Sequence, residues 1–380
     1  MKKIENKRYE RLSANSQKRL VIESDNVLHE LQNESEDKIT GLDYFYDVAG
    51  KFARGQLSAQ EKKKYIATNC VQVPIELIYA ADAIPVRICS GAYSMSQAGD
   101  GLLPAKSCSL VSATFGAIYT NSFPVDQEIL SIITPTTCDQ KKKLSEIPTG
   151  IDQPFYTLEL PPAKDSEEAR EYWYRSVKKF KRKLEKITGN RISRRRLKGA
   201  ILKVAKAQQA FRNFHQLRKE QTIISGTNAI LVANTFFYDD IESWTRHLND
   251  LISELKQRSD RDQTVVENNN PRLLLTGSPS IFPNLKLPIM IEKMGGTIVV
   301  DEFCSSNRLL YDTVAVDEWN MYDMIPALAD RYLKACTCPC FTPNPDRERK
   351  LLAYIKDFQV EGVVYQSFQA VSYTNWNLCE

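Results

Sequence analysis

The chain has 380 residues, 42% of them apolar, with 17 Tyr, 15 Phe and 4 Trp. Domains commonly run to about 100–200 residues, so this length suits more than one core, and the composition is too apolar for a disordered chain. The 51 basic and 47 acidic residues nearly cancel to a formal charge of +4, which leaves no global field selecting nucleic acid or an anionic membrane as partner.

The opening stretch, MKKIENKRYERLSANSQKRL, is basic but no apolar run of about 7–15 residues follows it, so no secretory signal is expected. The longest apolar candidate, Ile223 to Phe237, contains Ser, Thr and Asn and falls short of the roughly 18 residues that cross a bilayer. A cytoplasmic protein is expected. In that reducing compartment nine cysteines read as metal ligands or core residues rather than disulfides.

In chain order, residues 1–65 are charged and helical in pattern, with a break at Ala53-Arg54-Gly55, and read as an N-terminal helical arm. Residues 66–165 read as a first α/β domain. Its strand-like runs are Ile84–Ile88, Ile129–Ile133 and Phe155–Leu160, separated by helical patterns. Residues 166–269 carry three long helical patterns, Ser166–Ile187, Ser193–Glu220 and Tyr238–Arg258, and form a helical insertion. Ser193 suits an N-cap, and Gly189 in Thr188-Gly189-Asn190 suits the left-handed end of the preceding helix. Asn268-Asn269-Asn270 reads as a linker. Residues 270–380 then resume strands at Arg272–Thr276, Thr297–Val300 and Gly362–Tyr365, with helices at Tyr322–Lys334 and Arg347–Phe358. Alternating strands and helices predict an α/β fold with two Rossmann-like parallel-sheet domains.

Four cysteines, Cys70, Cys108, Cys138 and Cys304, each follow a short segment of small or polar residues and precede a helical pattern. In an open parallel sheet the strand-to-helix loops lie at the carboxyl ends of the strands, where ligands bind. Helix N-termini there lower thiolate pKa and favour anions. A further group, Cys336-Thr337-Cys338-Pro339-Cys340, closes the helix Tyr322–Lys334. Its spacing does not match the paired C-x-x-C of a zinc ribbon, and clustered thiolates suit an iron–sulfur site better. The contiguous cysteine run of bacterial ferredoxins is absent, so any cluster is assembled from dispersed loops. The competing reading is that each lone cysteine is a small buried hydrophobe, and for Cys89, inside a strand-like run, that reading is preferred.

With these residues in view, the sequence resembles the 2-hydroxyacyl-CoA dehydratase and benzoyl-CoA reductase family, in particular its branch of homodimeric double-cubane cluster proteins. The matching strings run in family order from NCVQVPIELIYAADAIPVRICSG at Asn69. They continue through LPAKSCSLVSATFG at Leu103, TPTTCDQKKKL at Thr134, IEKMGGTIVVDEFCSS at Ile291 and CPCFTPNPDR at Cys338 to VEGVVYQ at Val360. The resemblance implies an iron–sulfur cluster, either a four-iron or a double-cubane one. Cys70, Cys108, Cys138, Cys304, Cys338 and Cys340 are the implied ligands. It also implies low-potential electron-transfer chemistry, as a reductase or dehydratase-type subunit, a homodimer, and a separate ATP-hydrolysing activator protein. The alternatives are a cluster carrier that turns nothing over and a degenerate copy. Where the family carries a further ligand, this chain reads Gln369-Ala370-Val371-Ser372-Tyr373, and Val371 cannot bind iron; the chain is expected to lack the family's last strand and helix.

The remaining features are weaker. Neither a G-x-x-x-x-G-K-[ST] nor a G-x-G-x-x-G string is present, so no familiar nucleotide cradle is expected. The Lys141-Lys142-Lys143 run could neutralise an anion, but a solvated helix face is the preferred reading. The basic tract Arg191 to Lys206 lacks interleaved aromatics and also reads as solvated helix. Only His29, His215 and His247 exist, all in helical segments, which disfavours histidine-based catalysis. Glu76 either orients the Cys70 loop or caps a helix start.

Overall fold

The computed structural model describes residues 2–33, 38–57, 63–100, 103–104, 106–144, 154–219, 221–264, 270–310, 312–334 and 336–368. The arm comprises helix α1 (Lys2–Asn33), a short turn at Thr40–Leu42 and helix α2 (Asp43–Arg54). Gly55 ends α2 with φ 67°, a left-handed conformation that a glycine adopts without a Cβ clash.

The first sheet follows, built from β1 (Tyr65–Thr68), β2 (Ile84–Arg87), β3 (Ile129–Pro135) and β4 (Phe155–Leu158). Its strands lie in the order β2-β1-β3-β4 and every pairing is parallel. Helices α3 (Ile75–Ala80), α4 (Tyr93–Gly99), α5 (Ser109–Tyr119) and α6 (Asp139–Leu144) occupy the connections. Strands covered on both faces read as continuous apolar runs, which made β2, β3 and β4 legible. The strand β1 was not foreseen. It is four fully buried residues directly after a lysine run, too short to show either alternation or length.

Four helices come next: α7 (Glu167–Thr188), α8 (Arg194–Leu217), α9 (Gly226–Thr235) and α10 (Ile241–Asp260). Ser166, Ser193, Ser225 and Asp240 each accept a first-turn backbone N–H, the usual reason such residues begin helices. All of α9 is buried, as expected of a helix apolar on every side. The apolar run Ile223 to Phe237 is therefore a core helix, and no described helix is long and apolar enough to cross a membrane.

The second sheet contains β5 (Arg272–Gly277), β6 (Thr297–Asp301) and β7 (Gly362–Gln366), in the order β6-β5-β7 and again all parallel. Helices α11 (Lys286–Lys293), α12 (Asn307–Leu310), α13 (Met321–Leu333) and α14 (Pro345–Asp357) complete it. One apolar core threads both sheets and the helices between them, and a smaller cluster of Leu274, Val299, Val300, Tyr354 and Phe358 lies under α14.

In each sheet the chain goes first to one side of the starting strand and later to the other. The reversal falls between β1 and β3 in the first sheet and between β5 and β7 in the second. Such switch points leave a crevice at the carboxyl ends of the strands. The two crevices face each other. Arg87, ending β2, donates through Nη1 to Cys304 O at 3.1 Å, and Gln72, after β1, donates through Nε2 to Cys336 Sγ. Gly91 lies so close to the second half that an added Cβ would stand 1.8 Å from Ile281 O.

Candidate thiol centre between the two sheets

Each loop brings its cysteine to this junction for a local reason. Cys70 follows β1, and the neighbouring Asn69 donates through Nδ2 to Thr134 Oγ1 at 3.1 Å, fixing the Cys70 loop against the end of β3. Cys138 lies between β3 and α6. Cys108 occupies the N-cap position of α5, with its own N–H bound by Gln140 Oε1 at 2.6 Å. Helix α5 is held against α4 at two glycines: a Cβ on Gly116 would meet Met95 O at 1.9 Å, and one on Gly99 would meet Ser112 O at 2.2 Å. Cys304 follows β6, and Cys336, Cys338 and Cys340 follow α13.

The residue around which the first-sheet thiols gather is Lys141. Its Nζ donates to Asn69 O at 3.0 Å, and the same carbonyl oxygen accepts from Cys89 Sγ at 2.9 Å. Burial opposes the ammonium, but the nearby thiols of Cys70, Cys89, Cys138 and Cys304 outweigh it and hold the Lys141 pKa above its ordinary value. The solvated face expected for Lys141-Lys142-Lys143 holds for Lys142 and Lys143, which are exposed, but not for Lys141. Cys138 and Lys141 also lie within electrostatic reach of Cys108. Arg87 is the second cation here. It is buried, it stacks 3.3 Å from the Phe237 ring centroid, and its Nε has no hydrogen-bond partner. Among the described residues no carboxylate forms an ion pair with Lys141 or Arg87.

Burial pushes the Cys89 and Cys304 thiols up, while Lys141 at Cys89 and Arg308 at Cys304 draw them down, each assisted by Arg87. Cys304 is in turn within reach of Cys70 on one side and Cys338 on the other, so it links the two halves. At the far side the thiols of Cys338 and Cys340 hydrogen-bond to Cys336, holding it well below the ordinary thiol range and pushing Cys340 well above it. That loop is shaped by Glu302, 1% exposed, which takes Arg308 Nε and Nη2 at 2.8 Å, Arg347 Nε at 3.3 Å and Thr337 Oγ1 at 3.1 Å. Burial works against this carboxylate, yet Arg308 and Arg347 hold its pKa below the usual range. Asn344 adds donors to Cys336 O and Cys338 O, each at 3.1 Å.

Glu76 is fully buried in the first turn of α3 and accepts from Tyr332 Oη at 2.9 Å, tying that helix to α13. A cleft of 340 Å³ opens between the loops, lined by Thr136, Thr137, Cys138, Cys340, Phe341 and Thr342 among others. The three histidines lie on α1, α8 and α10, on other parts of the molecule.

All six cysteines singled out from the sequence thus stand on loops at one junction. Among the described residues, no three His, Cys, Asp or Glu side chains are arranged as ligands of a single metal ion. The eight described cysteines are free thiols. Soft donors dispersed over several loops and faced by uncompensated cations suit a polynuclear, anionic thiolate-bound group better than a lone divalent ion. Sequence reasoning missed Arg87 at this centre and preferred a solvated face for Lys141; it grouped Cys336 with Cys338 and Cys340, and it read Cys89 as a buried residue, which it is. The basic run after Cys138 was the one visible signal. Val371 and Cys379 lie outside the described residues.

Fold and centre together define an α/β protein whose paired parallel sheets present cysteine loops to a common junction. The sequence profile of the 2-hydroxyglutaryl-CoA dehydratase D-component matches residues 70–377, and the chain belongs to that family. Among its relatives, a protein of Escherichia coli (strain K12) named as a candidate dehydratase subunit, YjiM, is 29% identical over 80% of this chain and 78% of its own length. The (R)-phenyllactyl-CoA dehydratase beta subunit of Clostridium sporogenes is 23% identical over 80% and 79%. One of the subunits of the benzoyl-CoA reductase of Thauera aromatica is 22% identical over 82% and 80%.

Proposed function

We propose that this chain is an iron–sulfur protein performing low-potential electron-transfer chemistry, as a reductase or a dehydratase-type subunit. The observation that supports this best is the gathering of thiols from both sheets around two cations that no described carboxylate neutralises. Isolated buried charges cost several kcal/mol unless paired, so the site as built favours an anionic occupant. Cys70, Cys108, Cys138, Cys304, Cys338 and Cys340 would hold the cluster, and their number suits the double-cubane form of the family. When bound, the cluster would supply one-electron reducing power. The chain's own residues do the rest. Lys141 and Arg87 provide positive charge, Glu302 fixes the loop carrying Cys338 and Cys340, and the threonine-lined cleft gives access beside Cys138. As the family resemblance implies, ATP hydrolysis would fall to a separate activator protein, and the working unit would be a homodimer.

The test is anaerobic reconstitution with iron and sulfide, followed by metal analysis, size measurement and assay with an ATP-dependent activator. At least one four-iron cluster per chain and activator-dependent reduction are the expected results. Colourless protein without iron overturns the reading, and a loaded protein that no activator can reduce identifies a cluster carrier instead.

A further inference from the structure

Building on the cluster reading above, we propose that Lys141 is the positioning residue that sets the charge balance of the thiol centre, and hence its reduction potential. The geometry is specific. Of the three consecutive lysines, Lys142 and Lys143 are exposed, and Lys142 is paired with Asp139 at 3.5 Å. Lys141 instead sends its Nζ inwards to Asn69 O, the carbonyl that also takes the Cys89 thiol and directly precedes Cys70. One ammonium therefore sits against the loops of two strands, among thiols contributed by four different connections of the fold.

The charges nearby make it the sensitive position. In the second half, Arg308 and Arg347 share one carboxylate, Glu302, so much of their charge is spent inside the protein. Among the described residues Lys141 has no such partner, and its field falls on the thiols. A fixed positive charge beside an anionic redox group stabilises the reduced, more negative state, and in a half-buried site solvent screens it poorly. Removing that charge should make reduction harder. Arg87 acts in the same direction, but it is anchored by Phe237 and by Cys304 O, so its replacement would disturb packing as well as charge.

The experiment compares wild type, Lys141→Gln, Lys141→Arg and the exposed control Lys143→Gln, each reconstituted anaerobically. Iron and sulfide content and a spectroscopically monitored redox titration are the readouts. Lys141→Gln is expected to shift the oxidised-to-reduced ratio at fixed potential about tenfold toward oxidised, equivalent to about 59 mV for one electron. Lys141→Arg should keep most of the wild-type potential, and Lys143→Gln should match wild type. Lys141→Gln that loads iron with an unchanged potential overturns the proposal while leaving the cluster reading intact. If both Lys141 variants fail to load and their iron-free forms melt well below wild type, the residue is structural and the proposal is again overturned. Should the glutamine variant alone fail to load while its iron-free form melts normally, charge is required for assembly, which supports it. Wild type that binds no iron defeats the cluster reading first, and this inference with it.

Discussion

The two halves of the thiol centre handle positive charge in opposite ways. On the side of the second sheet, Arg308 and Arg347 converge on the buried carboxylate of Glu302, which also takes Thr337 and Thr276. On the side of the first sheet, Lys141 and Arg87 meet backbone carbonyls, an aromatic ring and thiols. A closed ion network fixes the shape of a loop whatever occupies the centre, because its charges are already satisfied. An open pair of cations fixes little by itself and gains most when an anion arrives. The second half therefore reads as the pre-formed wall, and the first as the side that responds to occupancy.

The largest expected effect that would break this comparison is loss of iron. Cys70→Ser and Cys108→Ser, on the open side, should each remove most of the bound iron, measured per chain after anaerobic reconstitution. Cys89→Ala should leave it unchanged, since that thiol is buried and already donates to Asn69 O. Equal losses in all three would make Cys89 a ligand and the first half more crowded than described.

The closed side is probed by Glu302→Gln, which leaves two buried guanidinium groups without their shared carboxylate. Breaking a buried pair in this way costs about 3–5 kcal/mol, to be read from denaturant unfolding of the iron-free protein. A loss below about 1 kcal/mol, the range of surface pairs, would mean that the network is not the support described here.

A smaller change sharpens the role of the scaffold. Gly116→Ala places a methyl group where Met95 O already stands, so α4 and α5 must separate, at about 1–3 kcal/mol for overpacking. Because Cys108 caps α5, iron content should fall together with melting temperature. A normal melting temperature would show that the helix pair tolerates the shift.

The smallest effect lies far from the thiols. Burial raises the Asp239 pKa to about 7, although Tyr44 Oη donates to its carboxylate at 2.7 Å. Between about pH 4 and 7 the folded chain then holds a proton that the unfolded chain has released, so this group makes stability fall as pH rises through that window. Asp239→Asn should flatten that slope without affecting iron binding, and an unchanged pH profile of unfolding would contradict the assignment.

Much of the architecture was legible in the sequence because it rests on local periodicity. The helices α7, α8 and α10 carry long amphipathic patterns with Ser or Asp at their starts, and β3 and β5 are apolar runs bounded by polar loops. The placing of Cys138 after β3 was legible for the same reason, whereas Cys70 was read only as preceding a helical pattern. By contrast, β1 was too short to signal, although it is the strand on which the first sheet is ordered.

What the sequence alone determined is the α/β alternation, the placing of Cys70, Cys108, Cys138 and Cys304 before helical patterns, and the family strings around them. These follow from neighbours a few residues apart. The tertiary structure decided which side chains share the centre. Lys141 and Lys143 are alike in composition and only two residues apart, yet α6 turns one toward Asn69 O and the other to solvent. Glu302, Arg347 and Thr337 meet across tens of residues because β6, α14 and the loop after α13 pack together. Electrostatic energy depends on distance and burial rather than on order along the chain, so the charge balance of the centre became visible only once the loops at the strand ends of the two sheets were brought together.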